Sequence, residues 1–398
     1  MNPSSRSQAG FTLVELMVST SIIALIMLVL VAMTNQTSQT WRHATEKIEK
    51  FQLARDGFES MTRKMSQATL NTNWDYLDAA GKVRDKNVGT SAFNNFVPMY
   101  YGRVTDLRFV SGPMNSNAKF AGLENSMKRP GHGVFFQAPF GTVLSTTSYG
   151  NLDNLLNTWG YFVEAGYDQT TPGFITAGGS VKKRWRPRLM EFMQPSEQMS
   201  LYDPITNSYE WFTVGLTSPA PPVRVLAENV LTLIILPKLS KADEDNRASK
   251  QSVQAAMLSP YYVYDSTLTL NPGGTGSDTG VINPKNQLPP ILTVTMVAID
   301  ERSAERLADK YCQGAAQGSP TQSQAAMGLD IAASKVGVNY SNLFTDAARL
   351  EDDTNTSQPG DGDLYDIERI LTNEGCTYRV FTSNVSIRGA KWSRVQTK

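Results

Sequence analysis

Chemistry needs reactive side chains that converge, and this chain of 398 residues has few to offer. Its two histidines are His43, in a stretch with helical spacing, and His132, between Gly131 and Gly133. A turn imidazole such as His132 can ligate a metal, although a lone histidine is more commonly structural. No Gly-x-Ser-x-Gly, His-Glu-x-x-His or P-loop pattern occurs. Asp278-Thr279-Gly280 has the triplet of an aspartic protease but sits in a Gly/Ser-rich stretch without flanking apolar strands. Asp361, Asp363 and Asp366, with Gly362 for the bend, are hard oxygen donors of the kind calcium takes. Their spacing fails the EF-hand template, and a solvated acidic loop is the alternative. Lys182-Lys183-Arg184-Trp185-Arg186-Pro187-Arg188 interleaves five cations with an indole, which could serve a single-stranded nucleic acid, an acidic partner or a solvated strand edge. Acids and bases balance at 37 each, so net charge does not point to nucleic acid. Cys312 and Cys376 would permit one disulfide in an oxidising compartment, or remain two buried thiols. The expectation is a non-enzymatic protein.

The most definite chemistry belongs to Glu15. It is the sole charge between Arg6 and Arg42 and heads a nearly uninterrupted apolar run from Leu16 to Met33, long enough to span a bilayer as a helix. A carboxylate at the centre of such a helix costs roughly 2.5 to 3.5 kcal/mol. In the first turn the helix dipole favours it. Gly10 precedes the apolar core, and Ala32-Met33-Thr34-Asn35-Gln36 beyond it offers no small-x-small cleavage site, so the core should survive processing.

Gly10-Phe11-Thr12-Leu13-Val14-Glu15-Leu16 and the apolar run to about Met33 resemble the leader of type IV prepilins and type II secretion pseudopilins. The resemblance implies that a prepilin peptidase cuts between Gly10 and Phe11 and that Phe11 is N-methylated. It implies a helix that anchors the subunit in the inner membrane and later packs in a filament core. Other pilin or pseudopilin subunits and an inner-membrane assembly platform would be its partners. Freed by cleavage, the Phe11 ammonium becomes a counter-charge for Glu15 and would set the register between subunits. Arg6 would stay cytoplasmic and the bulk of the chain would face outward. Some pseudopilins hold calcium in a globular loop, although no residue pattern here carries that over.

These residues need a scaffold, and the sequence predicts an α+β, pilin-like one. Residues 1–10 are the leader, 11–33 the transmembrane or filament-core helix and 34–70 its amphipathic continuation. Trp41, Ala44, Ile48, Phe51, Ala54, Phe58, Met61, Met65 and Ala68 recur at helical spacing, predicting one helix from Phe11 to Ala68 with Phe51 and Phe58 buried against a sheet. Residues 71–398 read as a β-rich domain outside the cytoplasm. Asn71 to Asn95 reads as surface loop. Strands are expected at Val104–Val110, Val134–Ala138, Trp159–Glu164, Leu189–Met193, Tyr209–Val214, Val223–Leu236, Ile291–Ile299 and Cys376–Ile387, with helices at Asp300–Tyr311 and Asp366–Thr372. Residues 238–289 read as a mobile insertion around an ordered Pro260–Tyr264. The blocks Val225–Leu236, Leu288–Ile299 and Tyr378–Trp392 resemble the C-terminal sheet of W-type minor pilins, J-type minor pseudopilins and uncharacterised prepilin-like cassette proteins, whose short hairpin is replaced here by the long insertion. The resemblance implies a minor subunit that primes, caps or joins a filament. A binding or adhesion module displayed on a filament, for a surface, a polymer or DNA, is the alternative.

Overall fold

A computed structural model describes residues 13–49, 51–85, 87–114, 129–145, 149, 152, 154–167, 184–199, 210–218, 220–249, 252, 256–269, 282–316, 319–350 and 362–392. The chain divides into two compact units, residues 1–52 and 53–398.

In the first unit, helix α1 (Leu13–Glu49) opens with Glu15 in its first turn. Its segment Leu13–Ser38 has a mean hydropathy of 2.7, and none of its most apolar window is buried in the protein. The few hydroxyls in this stretch are satisfied locally. Ser19, Thr20, Ser21, Thr34 and Thr37 each donate to a carbonyl one turn back. No polar group on them then demands water, as a lipid-facing helix requires. The single helix expected to Ala68 is two helices, because Phe51 is a turn residue ahead of α2 (Gln52–Met65).

In the second unit, Ala54, Gly57, Phe58, Met61 and Met65 form the buried stripe of α2. Phe58 meets the Phe381 ring at 5.9 Å between centroids. Phe51, which belongs to the first unit, is itself buried. A Cβ on Gly57 would stand 3.2 Å from that of Ala227, so glycine lets the helix lie close to the sheet.

Eleven strands in three antiparallel sheets follow among the described residues. They are β1 (Asn73–Leu77), β2 (Tyr100–Val104), β3 (Val110–Pro113), β4 (His132–Pro139), β5 (Leu156–Tyr167), β6 (Trp185–Gln194), β7 (Val223–Glu228), β8 (Val230–Lys238), β9 (Tyr264–Asp265), β10 (Ile291–Ile299) and β11 (Tyr378–Ser386). The large sheet has order β7-β6-β5-β4-β3-β9, the second β11-β10-β8, and β1 pairs β2 as a separate ribbon. Leu231, Ile234 and Leu236 of β8 and Val297 and Ile299 of β10 share one core with helices α6 (Glu301–Tyr311), α8 (Leu329–Lys335) and α9 (Asp363–Asn373). The fold is α+β: a long apolar N-terminal helix followed by a globular domain of antiparallel sheets.

Several expected elements differ, each for a local reason. The block Val223–Leu236 is two strands in different sheets. Asn229 between them adopts φ 60°, a left-handed conformation that breaks the pleat, and its Nδ2 donates to Glu301 Oε2 at 2.7 Å. Val104–Val110 is not a strand but the link from β2 to β3. Thr105 Oγ1 accepts the Leu107 N–H, and the Arg108 N–H goes to the Gln137 side chain instead of a ladder. The predicted strand at Tyr209–Val214 is helix α4 (Glu210–Thr217). Phe212 and Leu216, four apart, enter the cluster of Phe135 and Phe192, so packing overrides an aromatic strand propensity. Tyr209 itself lies outside the described residues. Asn71–Asn95 contains β1 and a single turn, α3 (Ser91–Asn94).

The stretch 238–289 is built into the domain where it is described. Ser240 caps α5 (Lys241–Ala248), Tyr262 and Tyr264 are fully buried, and β9 closes the edge of the large sheet. Between α6 and α8 the short α7 (Gln322–Ala325) completes the helical layer.

Removing the Phe58 ring leaves a cavity between α2 and β11. Phe58→Ala should lower the unfolding free energy by about 3 to 5 kcal/mol. Denaturant melts followed by near-ultraviolet circular dichroism measure this, and an unchanged midpoint would mean that the ring contributes nothing to the domain.

Candidate functional site

Glu15 is the third residue of α1, exposed among exposed apolar neighbours Leu13, Val14, Leu16 and Met17. Its place in the first turn lets the unpaired N–H groups of the helix end offset part of the cost of taking a carboxylate out of water. Gly10 and Phe11 lie outside the described residues.

In the globular unit the residues that suggested chemistry are mostly structural. His132 is buried, with its ring centroid 4.7 Å from that of Tyr262 in an edge-on arrangement. The Ile235 N–H donates to Nδ1 at 3.1 Å, which leaves Nε2 to donate to the Phe344 carbonyl at 3.3 Å. This neutral imidazole therefore links β4 of the large sheet, β8 of the second sheet and the loop before α9. Burial pushes its pKa down to about 4, against the pull of the two backbone partners.

Asp363 and Asp366 lie in the first turn of α9, and Asp361 lies outside the described residues. Asp363 accepts the Phe344 N–H at 2.7 Å and Arg349 Nε at 3.3 Å, and Asp366 accepts Arg369 at 3.0 Å. Burial raises Asp363 to about 6 despite those partners. Their oxygens are committed to protein donors, and no group of three or more metal-ligating side chains occurs among the described residues.

The basic stretch is no open platform either. Arg184 and Arg186 pair with Glu301 at 3.2 and 2.8 Å, and buried Arg188 donates to the Tyr167 carbonyl at 2.8 Å. The Trp185 indole is buried and donates to the Gln324 carbonyl. Lys182 and Lys183 lie outside the described residues, as do Asp278, Thr279, Gly280 and the side chain of His43.

Cys312 and Cys376 are free buried thiols, so the disulfide they would permit is not formed. Cys312 Sγ faces the Gln324 carbonyl and Met327 Sδ, and Cys376 Sγ faces Arg306, so each thiol has its own surroundings. Burial pushes Cys312 up to about 12, which keeps it a thiol.

Glu191 plays a part the motif search passed over. Fully buried on β6, it accepts Lys64 Nζ at 2.6 Å, the Tyr161 hydroxyl at 2.8 Å and the Arg224 guanidinium. Lys64 also lies 3.6 Å from the Trp159 ring centroid. Burial lowers the Lys64 pKa against its bond to Glu191. The carboxylate so ties α2 to β5, β6 and β7. A lone acid within Leu189-Met190-Glu191-Phe192-Met193 was the available signal.

A cavity of about 640 Å³ lies behind the β1–β2 ribbon, lined by Leu77, Val104, Phe96, Lys82 and Lys285 among others. Its two acids are engaged locally: Asp78 accepts the Ala80 and Lys82 N–H groups, and Asp85 accepts the Asn87 N–H and the Thr90 hydroxyl. No constellation of nucleophile, base and oxyanion donor lines it.

Residues 5–31 match the family model described as the prokaryotic N-terminal methylation motif. The N-terminal segment thus carries a motif similar to that of type IV pilin-like prepilins, which supports a pilin- or pseudopilin-type subunit and implies processing by prepilin peptidase and assembly with other pilins. The match ends before the globular unit begins, and comparisons with curated proteins and with solved structures gave no match.

The His132 environment predicts acid sensitivity. The unfolded chain takes up a proton near 6.5 while the folded ring resists until about 4, so stability is lost as pH falls through that interval, by up to roughly 3 kcal/mol. Melts of wild type and His132→Gln across this range should show a shallower pH slope in the variant. Equal slopes would mean that another group titrates.

Proposed function

We propose that this protein is a minor pilin or pseudopilin, a non-enzymatic subunit that primes, caps or joins a type IV pilus or type II secretion-like filament. The observation that carries the reading is the coincidence of the methylation motif, residues 5–31, with a helical segment, Leu13–Ser38, that is apolar enough to span a membrane and bears its one acid, Glu15, in the first turn of α1. Prepilin peptidase cuts between Gly10 and Phe11, Phe11 is methylated, and α1 holds the subunit in the inner membrane. Arg6 stays on the cytoplasmic side and the globular unit lies outside the cytoplasm.

Size supports a minor place. Packed helices lie 8–10 Å apart, whereas a unit the size of residues 53–398 has a radius of gyration of roughly 20 Å. Heads this wide crowd one another if every helix in a core carries one, and fit more easily at a tip or at sparse positions.

Glu15 and the Phe11 ammonium then form the assembly contact. In a filament core of low dielectric, either charge left alone carries a cost that can reach about 3 to 5 kcal/mol. In lipid, the acid only weakens partitioning.

Two measurements test this. N-terminal mass spectrometry should find a mature chain that begins with methylated Phe11, whereas a start near Thr34 would indicate an ordinary signal peptide and overturn the filament reading. Glu15→Leu should keep membrane retention and leader cleavage while its recovery in sheared filaments falls. Equal recovery would remove the register role of Glu15.

A further inference from the structure

The β1–β2 ribbon turns two unlike faces outward and inward. Leu77 and Val104 point toward the cavity behind it. On the other face the register places Trp74 opposite Arg103 and Tyr76 opposite Tyr101, with Met99 one step further along. These side chains are open to solvent: Trp74 is 52% exposed, Tyr76 59%, Tyr101 57% and Met99 66%. The rings touch one another instead of a core. Trp74 and Tyr101 lie 5.7 Å apart and near parallel, and Tyr76 and Tyr101 lie 5.2 Å apart at 54°, which opens an angle between them. Cross-strand contacts hold these rings in place before any ligand arrives, so little rotamer freedom remains to be lost on binding.

We propose that this strip binds a neutral oligosaccharide, taking the apolar C–H faces of two or three linked sugar rings against Trp74, Tyr101 and Tyr76. Three observations choose this occupant. The strip runs about two side-chain steps along the ribbon, each roughly 7 Å, the scale of a few sugar rings. Aromatic side chains of about 150–250 Å², half exposed, offer on the order of 300 Å² here. A stable protein partner needs about 800 Å² on each side. The charge is wrong for a nucleic acid, which needs a basic groove along its backbone. The one cation within the two ribbon strands, Arg103, donates to the Lys391 carbonyl at 2.8 Å and lies 5.7 Å from the Trp74 ring centroid. The phenolic hydroxyls of Tyr76 and Tyr101 supply donors and acceptors for sugar hydroxyls at the rim.

This binding goes beyond the filament role and does not depend on assembly, so the two can fail separately. The test uses the full-length protein in a detergent without a sugar headgroup, titrated calorimetrically with chitohexaose, cellohexaose and maltohexaose. At least one should bind, with little change between low and half-molar salt. Trp74→Ala and Tyr101→Ala should each weaken it about tenfold or more, a loss of roughly 1.4 kcal/mol, while Trp74→Phe retains most of the affinity. Melts check that the variants fold, as half-exposed side chains should allow. Wild-type protein carrying fluorotyrosine gives a second readout that needs no truncation, because the Tyr76 and Tyr101 fluorine signals should shift on titration. Four results would overturn the proposal: no binding of any hexasaccharide at millimolar concentration, binding indifferent to both alanine variants, salt-dependent binding of oligothymidylate lost in Trp74→Ala, or self-association lost in Trp74→Ala.

Discussion

An apolar helix with one carboxylate near its start cannot rest in water. The most apolar window of Leu13–Ser38 buries nothing inside the protein, and its hydroxyls turn back on its own carbonyls. At about 25 cal/mol per Å² of apolar surface, such a helix must find lipid or a bundle of its own kind. Those two solvents treat Glu15 differently. Lipid only resists it, whereas in the filament proposed above the Phe11 ammonium of a neighbour would offset it. On that proposal this one residue distinguishes a waiting subunit from an assembled one.

The globular unit solves a different problem, the joining of two sheets. β7 and β8 are separated by a single residue yet belong to different sheets, and Asn229 makes the turn. Glu301 secures that corner by accepting Asn229 and Arg186 together. His132 spans the same two sheets from β4 to β8, and Glu191 seats α2 on the large one. His132 and Glu191 are polar groups withdrawn from water and partnered there, which is what a buried polar group must be to avoid a penalty. Residues that look catalytic in one dimension serve here as joints.

What is left at the surface is correspondingly informative. Trp185, Arg186 and Arg188 of the basic stretch turn inward, whereas the ribbon residues Trp74, Tyr76 and Tyr101 turn outward. Large aromatic side chains normally join the core, so a cluster of them held in solvent marks a face with a use.

The sequence by itself determined the features that depend on neighbours along the chain. The apolar run with Glu15 at its head, the helical stripe through Phe58 and Met61, the apolar blocks of β8 and β10, and α6 begun by the cap Asp300 are all local patterns, legible because periodicity and capping act over a few residues. Tertiary structure alone decided which polar residues would be buried and which aromatics exposed. Lys64 meets Glu191 across 127 positions of chain, His132 meets Phe344 across 212, and Trp74 finds Tyr101 only once β1 and β2 pair. It also turned the expected strand at Tyr209–Val214 into a helix, because Phe212 and Leu216 gain more by packing with Phe135 and Phe192 than by joining a ladder. The physical reason is the same throughout: local propensities are worth tenths of a kcal/mol per residue, whereas burying a ring or partnering a buried charge is worth several times more.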